Sequence, residues 1–409
     1  MSLAGALLAA VDVGAACADG VRDSQWPLVN YKAESTIWPV SQGEGIVVAV
    51  IDSGVLKDHQ DLTGQVLSGA DLSGENTDGT VDDNGHGTGM ASLIAGHGHG
   101  GGSGIMGLAP KAKILPIRIS WGENDATADL GLPRAIRFAV DHGAKVVNMS
   151  IGGYPSGAPG IREAVAYAVD KDVVLVAGTG NSGDRQGAVE HPAAFPGVVA
   201  VGAVDRNGLH WAKSSSGPET TLVAPGADIP RASAKSTAGH GIANGTSDST
   251  AYVSATAALI RAKYPNLSAG QVINRMIRSA TPPASGEAVP NDRYGHGLLS
   301  PARALEPNAA VDGGPRENPL LGRAESQGAP TAPSVGGAWE EPAPGPGAVA
   351  GGNRGVTYTV LGAAGVVVVG GGVVGAVLVV RRRRRVTAAA AGGYQGCPPP
   401  QQQWPPGRG

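Results

Sequence analysis

The stretch from Asn244 to Ile260, NGTSDSTAYVSATAALI, is the one on which the reading of this 409-residue chain turns. A Gly-Thr pair opens a run that reads as the first turns of a helix, and three serines and an aspartate crowd into it. A serine at a helix start is usually an N-cap, whose oxygen takes an otherwise unpaired backbone N–H. Ser249 lies about 200 degrees round the helix from Ser247, and Ser254 about two turns further in. Ser247 therefore holds the exposed first-turn position. Whether its hydroxyl does chemistry depends on what the rest of the chain brings to it.

Upstream, short apolar runs rich in β-branched residues alternate with helical patterns. The runs are GIVVAVID (45–52), AKILPIRI (112–119), AKVVNMSIGG (144–153), VVLVAGTG (173–180) and VVAVGAV (198–204). Strands apolar on both faces, interleaved with amphipathic helices, predict an α/β fold with a mainly parallel sheet covered on both sides. Ligands in such folds sit beyond the carboxyl ends of the strands. Two polar residues besides Ser247 stand at suitable places: Asp52 closes the first run, and His86, between two glycines in DDNGHGTGMASLIAGHG, opens a helical period. Taken singly, Asp52 reads as a turn former and His86 as a solvated loop residue.

The order Asp, His, Ser is the subtilisin order of a catalytic triad. Over residues 25 to 305 the chain resembles the subtilisin-like serine peptidases. The resemblance is carried by VAVIDSGV around Asp52, DNGHGTGMASLIAG around His86, GLAPKAKILPIRI, VVNMSIGG, VLVAGTGNSG, VAPG at 223–226 and NGTSDSTAYVSATAALI. It implies a three-layer fold and hydrolysis of peptide bonds, with Ser247 as nucleophile, His86 as base and Asp52 as the group that fixes the imidazole. It further implies that Asn181 in the oxyanion hole acts together with the Ser247 N–H. Ser150, Ile151, Gly152 and Gly153, with Gly178, Thr179 and Gly180, would wall the substrate pocket. A peptide added there as a strand is held by main-chain bonds.

Other patterns carry less. Gly178, Gly180 and Gly183 satisfy G-x-G-x-x-G, but two prolines and no helical period follow, so a dinucleotide site is set aside. His97 and His99 read as surface histidines, since no Cys or H-E-x-x-H partner accompanies them. No metal ligand and no cofactor is assigned. The acidic loop Asp71–Asp83 could hold a structural calcium but shows no full ligand pattern. Net charge is −3 including the five arginines 381–385, leaving −8 for the rest, which argues against nucleic acid as a partner.

The chain departs from the family's G-T-S-M-A-x-P at Asp248 and Ala251. A carboxylate in the first helical turn suits the dipole, yet beside an oxyanion it would oppose the developing charge unless it faced solvent. Residues 19–52 are too few for a separate folded pro-domain.

Segments outside the peptidase domain, expected at 19–305, set its address. Residues 1–18 run small and apolar and end Ala16-Cys17-Ala18, the form of a cleaved signal peptide, although within them no basic residue stands ahead of the apolar run and Asp12 interrupts it. Residues 306–355 are rich in Pro, Gly and Ala and read as a disordered linker. Residues 356–380 are uncharged over a length sufficient to span a bilayer, and Arg381–Arg385 follow at once. A Pro/Gln-rich tail closes the chain at 409, and Cys17 and Cys397 are the two cysteines. The peptidase domain is thus expected outside a cell membrane crossed by one helix, with the tail cytoplasmic. This layout resembles the mycosins, membrane-anchored subtilases of type VII secretion systems, and so implies protein or peptide substrates and a secretion membrane complex as partner. A structural role in that complex and a general surface protease are the alternatives.

Overall fold

The computed structural model describes residues 20–120, 128–154, 156 and 159–323. The expected signal peptide, membrane helix and cytoplasmic tail, and both cysteines, lie outside the described residues. Among the described residues no helix is long and apolar enough to cross a membrane.

The strands are β1 (Val47–Asp52), β2 (Ala70–Asp71), β3 (His97–His99), β4 (Ser103–Met106), β5 (Lys113–Arg118), β6 (Val146–Met149), β7 (Val174–Gly178), β8 (Val198–Val204), β9 (Thr220–Pro225), β10 (Ile229–Ser233) and β11 (Gly239–Ala243). Seven of them form one sheet in the order β2-β5-β1-β6-β7-β8-β9, and every pairing in it is parallel. Two antiparallel hairpins, β3–β4 and β10–β11, stand apart from it.

The helices are α1 (Val21–Ser24), α2 (Trp26–Asn30), α3 (His86–Ala95), α4 (Ala128–Asp141), α5 (Pro159–Asp170), α6 (Thr246–Lys263), α7 (Ala269–Ser279), α8 (Pro301–Leu305) and α9 (Ala309–Asp312), with a π-helical turn at Ala33–Ile37. The period-2 geometry of a strand sends alternate side chains to opposite faces. In β1, Val48 and Val50 pack with Met90, Leu93 and Ile94 of α3 and with Leu259 and Ile260 of α6. Ala49 and Ile51 turn the other way, toward Leu132 and Ile136 of α4 and Ile161 of α5. This alternation produces the expected three layers, and it explains why the strands read as unbroken apolar runs.

Segments at both ends of the domain are docked onto it. Gln25 is fully buried and exchanges two bonds of 2.8 Å with the backbone of Met106, while the Trp26 indole donates to the Asp228 carbonyl at 3.1 Å. The expected linker at 306–355 needs correction at its start. Residues 306–323 are folded against the domain: Arg275 binds the Asp312 carboxylate at 2.5 and 2.7 Å, and Asn318 donates to the Gly197 carbonyl at 2.8 Å. Arg323 donates to the carbonyls of Ala193 and Phe195. Composition alone called this stretch unstructured because it has no apolar period. Its order comes instead from arginine, asparagine and glutamine side chains that satisfy carbonyls distant in sequence.

Candidate active site

Adjacent strands β1 and β6, and then β7, end on the same edge of the sheet, and the sequence-predicted residues gather there. Asp52 is the last residue of β1 and is fully buried. Its Oδ1 accepts from the Ser53 N–H at 2.7 Å, and its two oxygens lie 2.9 and 3.0 Å from His86 Nδ1. An ionised carboxylate only accepts, so Nδ1 carries the hydrogen and Nε2 is left as the basic nitrogen of the neutral ring.

His86 is the first residue of α3, and a side chain missed in the sequence fixes that helix start. Asp82 accepts N–H bonds from Asn84, Gly85 and Thr88, at 3.1, 2.7 and 2.9 Å, and the Thr88 hydroxyl at 2.6 Å. It thus takes up donors that the helix leaves unpaired. Ser53 lies between the two carboxylates, with Oγ 2.9 Å from Asp82 and 3.2 Å from Asp52, and accepts from the Gly87 N–H at 3.0 Å. Gly87 has to be glycine, because a Cβ there would stand 2.1 Å from the Gly54 carbonyl.

Ser247 is the second residue of α6, and its surroundings separate it from the other hydroxyls of that helix. Ser249 bonds the carbonyls of Ala224 and Pro225, Thr250 bonds the carbonyl of Thr246, and Ser254 bonds Asn148 Oδ1 at 3.0 Å. All three are fully buried, whereas Ser247 keeps 8% of its surface. Ser247 and Ser150 clasp each other reciprocally. The Ser150 hydroxyl donates to the Ser247 carbonyl at 3.0 Å, and the Ser247 hydroxyl donates to the Ser150 carbonyl at 3.1 Å. Asn148 extends the chain, donating to Ser150 Oγ at 2.9 Å while accepting from Ser254. The deeper serine thus anchors α6 to β6 and contributes position.

Asn181 follows β7, and its Oδ1 accepts from the Thr246 N–H at 3.0 Å. A backbone N–H can only donate, so the amide oxygen is identified and Nδ2 is left as a donor at the head of α6. The arrangement joins a hydroxyl at a positive helix terminus, an imidazole with a fixed tautomer and a preoriented amide donor, which suits acyl transfer through a tetrahedral oxyanion.

The expected pocket walls differ from each other. Ile151, Gly152 and Gly153 are half-buried beyond β6, while Ser150 is committed to α6. Gly178, Thr179 and Gly180 are buried. The Thr179 N–H bonds the Val201 carbonyl, its hydroxyl bonds the Ser215 carbonyl, and the Gly180 N–H bonds Thr246 Oγ1. Those polar groups are used in holding β7 to β8 and to α6. A further acid sits here unannounced by any motif: a Cβ on Gly152 or on Gly180, whose φ is +108°, would meet the Glu190 carboxylate at 2.2 and 2.5 Å. The buried Glu190 side chain therefore lies against both segments.

Of the two placements expected for Asp248, facing solvent is not the one adopted. It is 1% exposed and paired with Arg231 of β10, Nη1 to Oδ1 2.9 Å. Burial pushes its carboxyl above the usual range, against the pull of Arg231 and of His86, and its Oδ2 has no hydrogen-bond partner among the described residues. The acidic loop 71–83 is likewise engaged internally. Asp71 accepts from Ser73 and Thr77, Asp78 from Ser68 and Thr80, and Asp83 pairs with Arg118. His99, expected as a loose surface histidine, instead bonds the fully buried Asp61 at 2.6 Å.

Comparisons with known proteins identify the family. The subtilase family model matches residues 43–297. Subtilisin DY of Bacillus licheniformis is 37% identical over 270 residues, 65% of this chain and 92% of that protein. Among solved structures, the MycP3 protease from the type VII (ESX-3) secretion system is 31% identical, with TM-score 0.61, covering 69% of this chain and 88% of the other. MycP1 from Mycobacterium smegmatis is 26% identical, with TM-score 0.63, covering 73% and 88%. With the family's fold and its residue order present together, the chain belongs to the subtilase family and is a serine endopeptidase, similar in structure to the MycP1 and MycP3 proteases.

Proposed function

We propose that this endopeptidase is anchored in a cell membrane by residues 356–380, cleaves protein substrates at the outer face, and works with a type VII secretion system. The observation that carries the catalytic part is the buried Asp52 carboxylate holding His86 Nδ1 through both oxygens, on the same sheet edge as Ser150, which grips Ser247. In the reaction, Ser247 Oγ turns from the Ser150 carbonyl and attacks the scissile carbonyl carbon, and His86 Nε2 takes its proton. The tetrahedral oxyanion receives Asn181 Nδ2–H and the Ser247 N–H. His86 then protonates the leaving amine, and water attacks the acyl-enzyme by the reverse of these steps. Asn181→Ala is expected to lower kcat by about 100- to 1000-fold with little change in KM, measured on a peptide library hit. An equal loss expressed wholly in KM would assign Asn181 to substrate binding.

The uncharged segment before Arg381 and the likeness to MycP3 support the location. External protease applied to intact cells should destroy an epitope in the peptidase domain and spare one on the tail after Arg385. Survival of the first epitope, or loss of the second, contradicts the topology.

A further inference from the structure

About 180 residues of sequence separate two parts of a cluster that lies outside the catalytic groups. Asp61, fully buried, accepts His99 Nδ1 at 2.6 Å on Oδ1 and His240 Nε2 at 2.7 Å on Oδ2. The rings of His99 and His240 are stacked within 8° of parallel, 6.2 Å apart. His59, also fully buried, brings its Nδ1 to 4.0 Å from Asp61 Oδ2. One ligand atom from each of His59, Asp61 and His240 fits within 4.8 Å of the others.

We propose that His59 Nδ1, Asp61 and His240 Nε2 form a binding site for a zinc-class divalent transition metal, with His99 orienting the carboxylate. The tautomer of His59 is already that of a ligand. Its Nε2 lies 2.8 Å from the Gly239 carbonyl, which only accepts, so Nε2 bears the hydrogen. Its Nδ1 consequently carries the lone pair, at present accepting the Asp61 N–H at 3.2 Å. A backbone carbonyl behind the ligating ring is the usual second contact of metal-bound histidine. Two imidazole nitrogens beside one carboxylate oxygen suit zinc and its neighbours, whereas calcium and magnesium take oxygen ligands. Zinc bonds of about 2.0–2.2 Å place tetrahedral ligand atoms about 3.3 Å apart, so shifts of about an ångström close the site. Binding through His240 Nε2 requires the proton shared with Asp61 to leave that nitrogen, either to solvent from a ring protonated on both nitrogens or by transfer to Nδ1, so that the ligating ring is the neutral Nδ1–H tautomer. His240 is partly exposed, which gives the ion an entry path.

The site would join three segments: the turn that follows β1, the β3–β4 hairpin through His99, and the β10–β11 hairpin. The last leads directly through Asn244 and Gly245 into α6 and Ser247. Cys17 and Cys397 both lie outside the peptidase domain, so no disulfide within that domain can perform this tie.

The test uses the full-length Ser247→Ala chain in detergent, without a histidine tag, stripped by a chelator and titrated with Zn2+ against a chromophoric competitor. One equivalent with Kd below about 1 μM is expected, with a rise in Tm on binding. His240→Gln and His59→Gln should each weaken binding by at least about 100-fold, and His142→Gln on the far layer should not. Co2+ in place of Zn2+ should give tetrahedral ligand-field bands that vanish in the same two variants. Circular dichroism of each metal-free variant verifies its fold. If a folded His240→Gln binds zinc as tightly as its parent, or if the parent binds less than one equivalent below about 10 μM, the site is refuted.

Discussion

Ser247→Ala is expected to lower kcat for peptide hydrolysis by about a million-fold, because nucleophile and base act as a unit and removing either removes the acyl-enzyme path. Only the residual effect of substrate binding and the oxyanion donors would remain. The same substitution deletes one neutral hydrogen bond, to the Ser150 carbonyl, so stability should fall by about 1 kcal/mol at most. The measurement pairs turnover with labelling by a fluorophosphonate. Covalent labelling that persists in Ser247→Ala would show that another hydroxyl is the nucleophile. Ser249, Thr250 and Ser254 are poor substitutes, since each is fully buried and donates to a fixed acceptor. In cells, secretion lost together with cleavage supports a catalytic part in export. Secretion retained without cleavage assigns the protein a structural part.

The second large effect is expected at the buried ion pair. Arg231→Met leaves the Asp248 carboxylate at 1% exposure without its counter-ion, with Oδ2 already lacking a donor among the described residues. Breaking such a pair from one side costs about 3–5 kcal/mol, whereas replacing both partners by apolar groups is often neutral or stabilising. The double variant Arg231→Met/Asp248→Met should therefore recover most of the loss, and it restores the methionine that follows the serine in most subtilisin-like chains. Denaturant unfolding of the parent, both single variants and the double variant in the Ser247→Ala background measures the coupling. Additive losses with no recovery would mean that the pair is not the unit argued here. This pair also bears on catalysis. Arg231 binds Asp248 Oδ1 and sets a positive charge against the carboxylate one residue from Ser247.

Sequence reasoning located the layers, the strand ends and the order of Asp52, His86 and Ser247, because each depends on local chemistry. Apolar runs of β-branched residues become buried strands, and a Gly-Thr pair before a helical run becomes a helix start. The family resemblance pointed to Asn181 as well, and the fold sets it beside Thr246 at the head of α6. Asp82, Glu190 and Arg231 were missed for a common reason. A carboxylate or guanidinium has no periodic signature, and its burial is set by partners such as Thr88, Gly180 and Asp248, which folding brings near. The same limit misplaced residues 306–323, which have no pattern of their own and are held by carbonyls of other elements.

What the sequence by itself determined is the family and the α/β layering, and helical geometry and position already separate Ser247 from Ser249 and Ser254 in NGTSDSTAYVSATAALI. What only the tertiary structure decided is the fate of the charges. Asp248 is turned onto Arg231, the acids of the 71–83 loop are used by neighbouring donors, and Asp61 binds imidazoles from two distant segments. The energy of a charge depends on its distance to other charges and to water. Those distances exist only once the chain is folded.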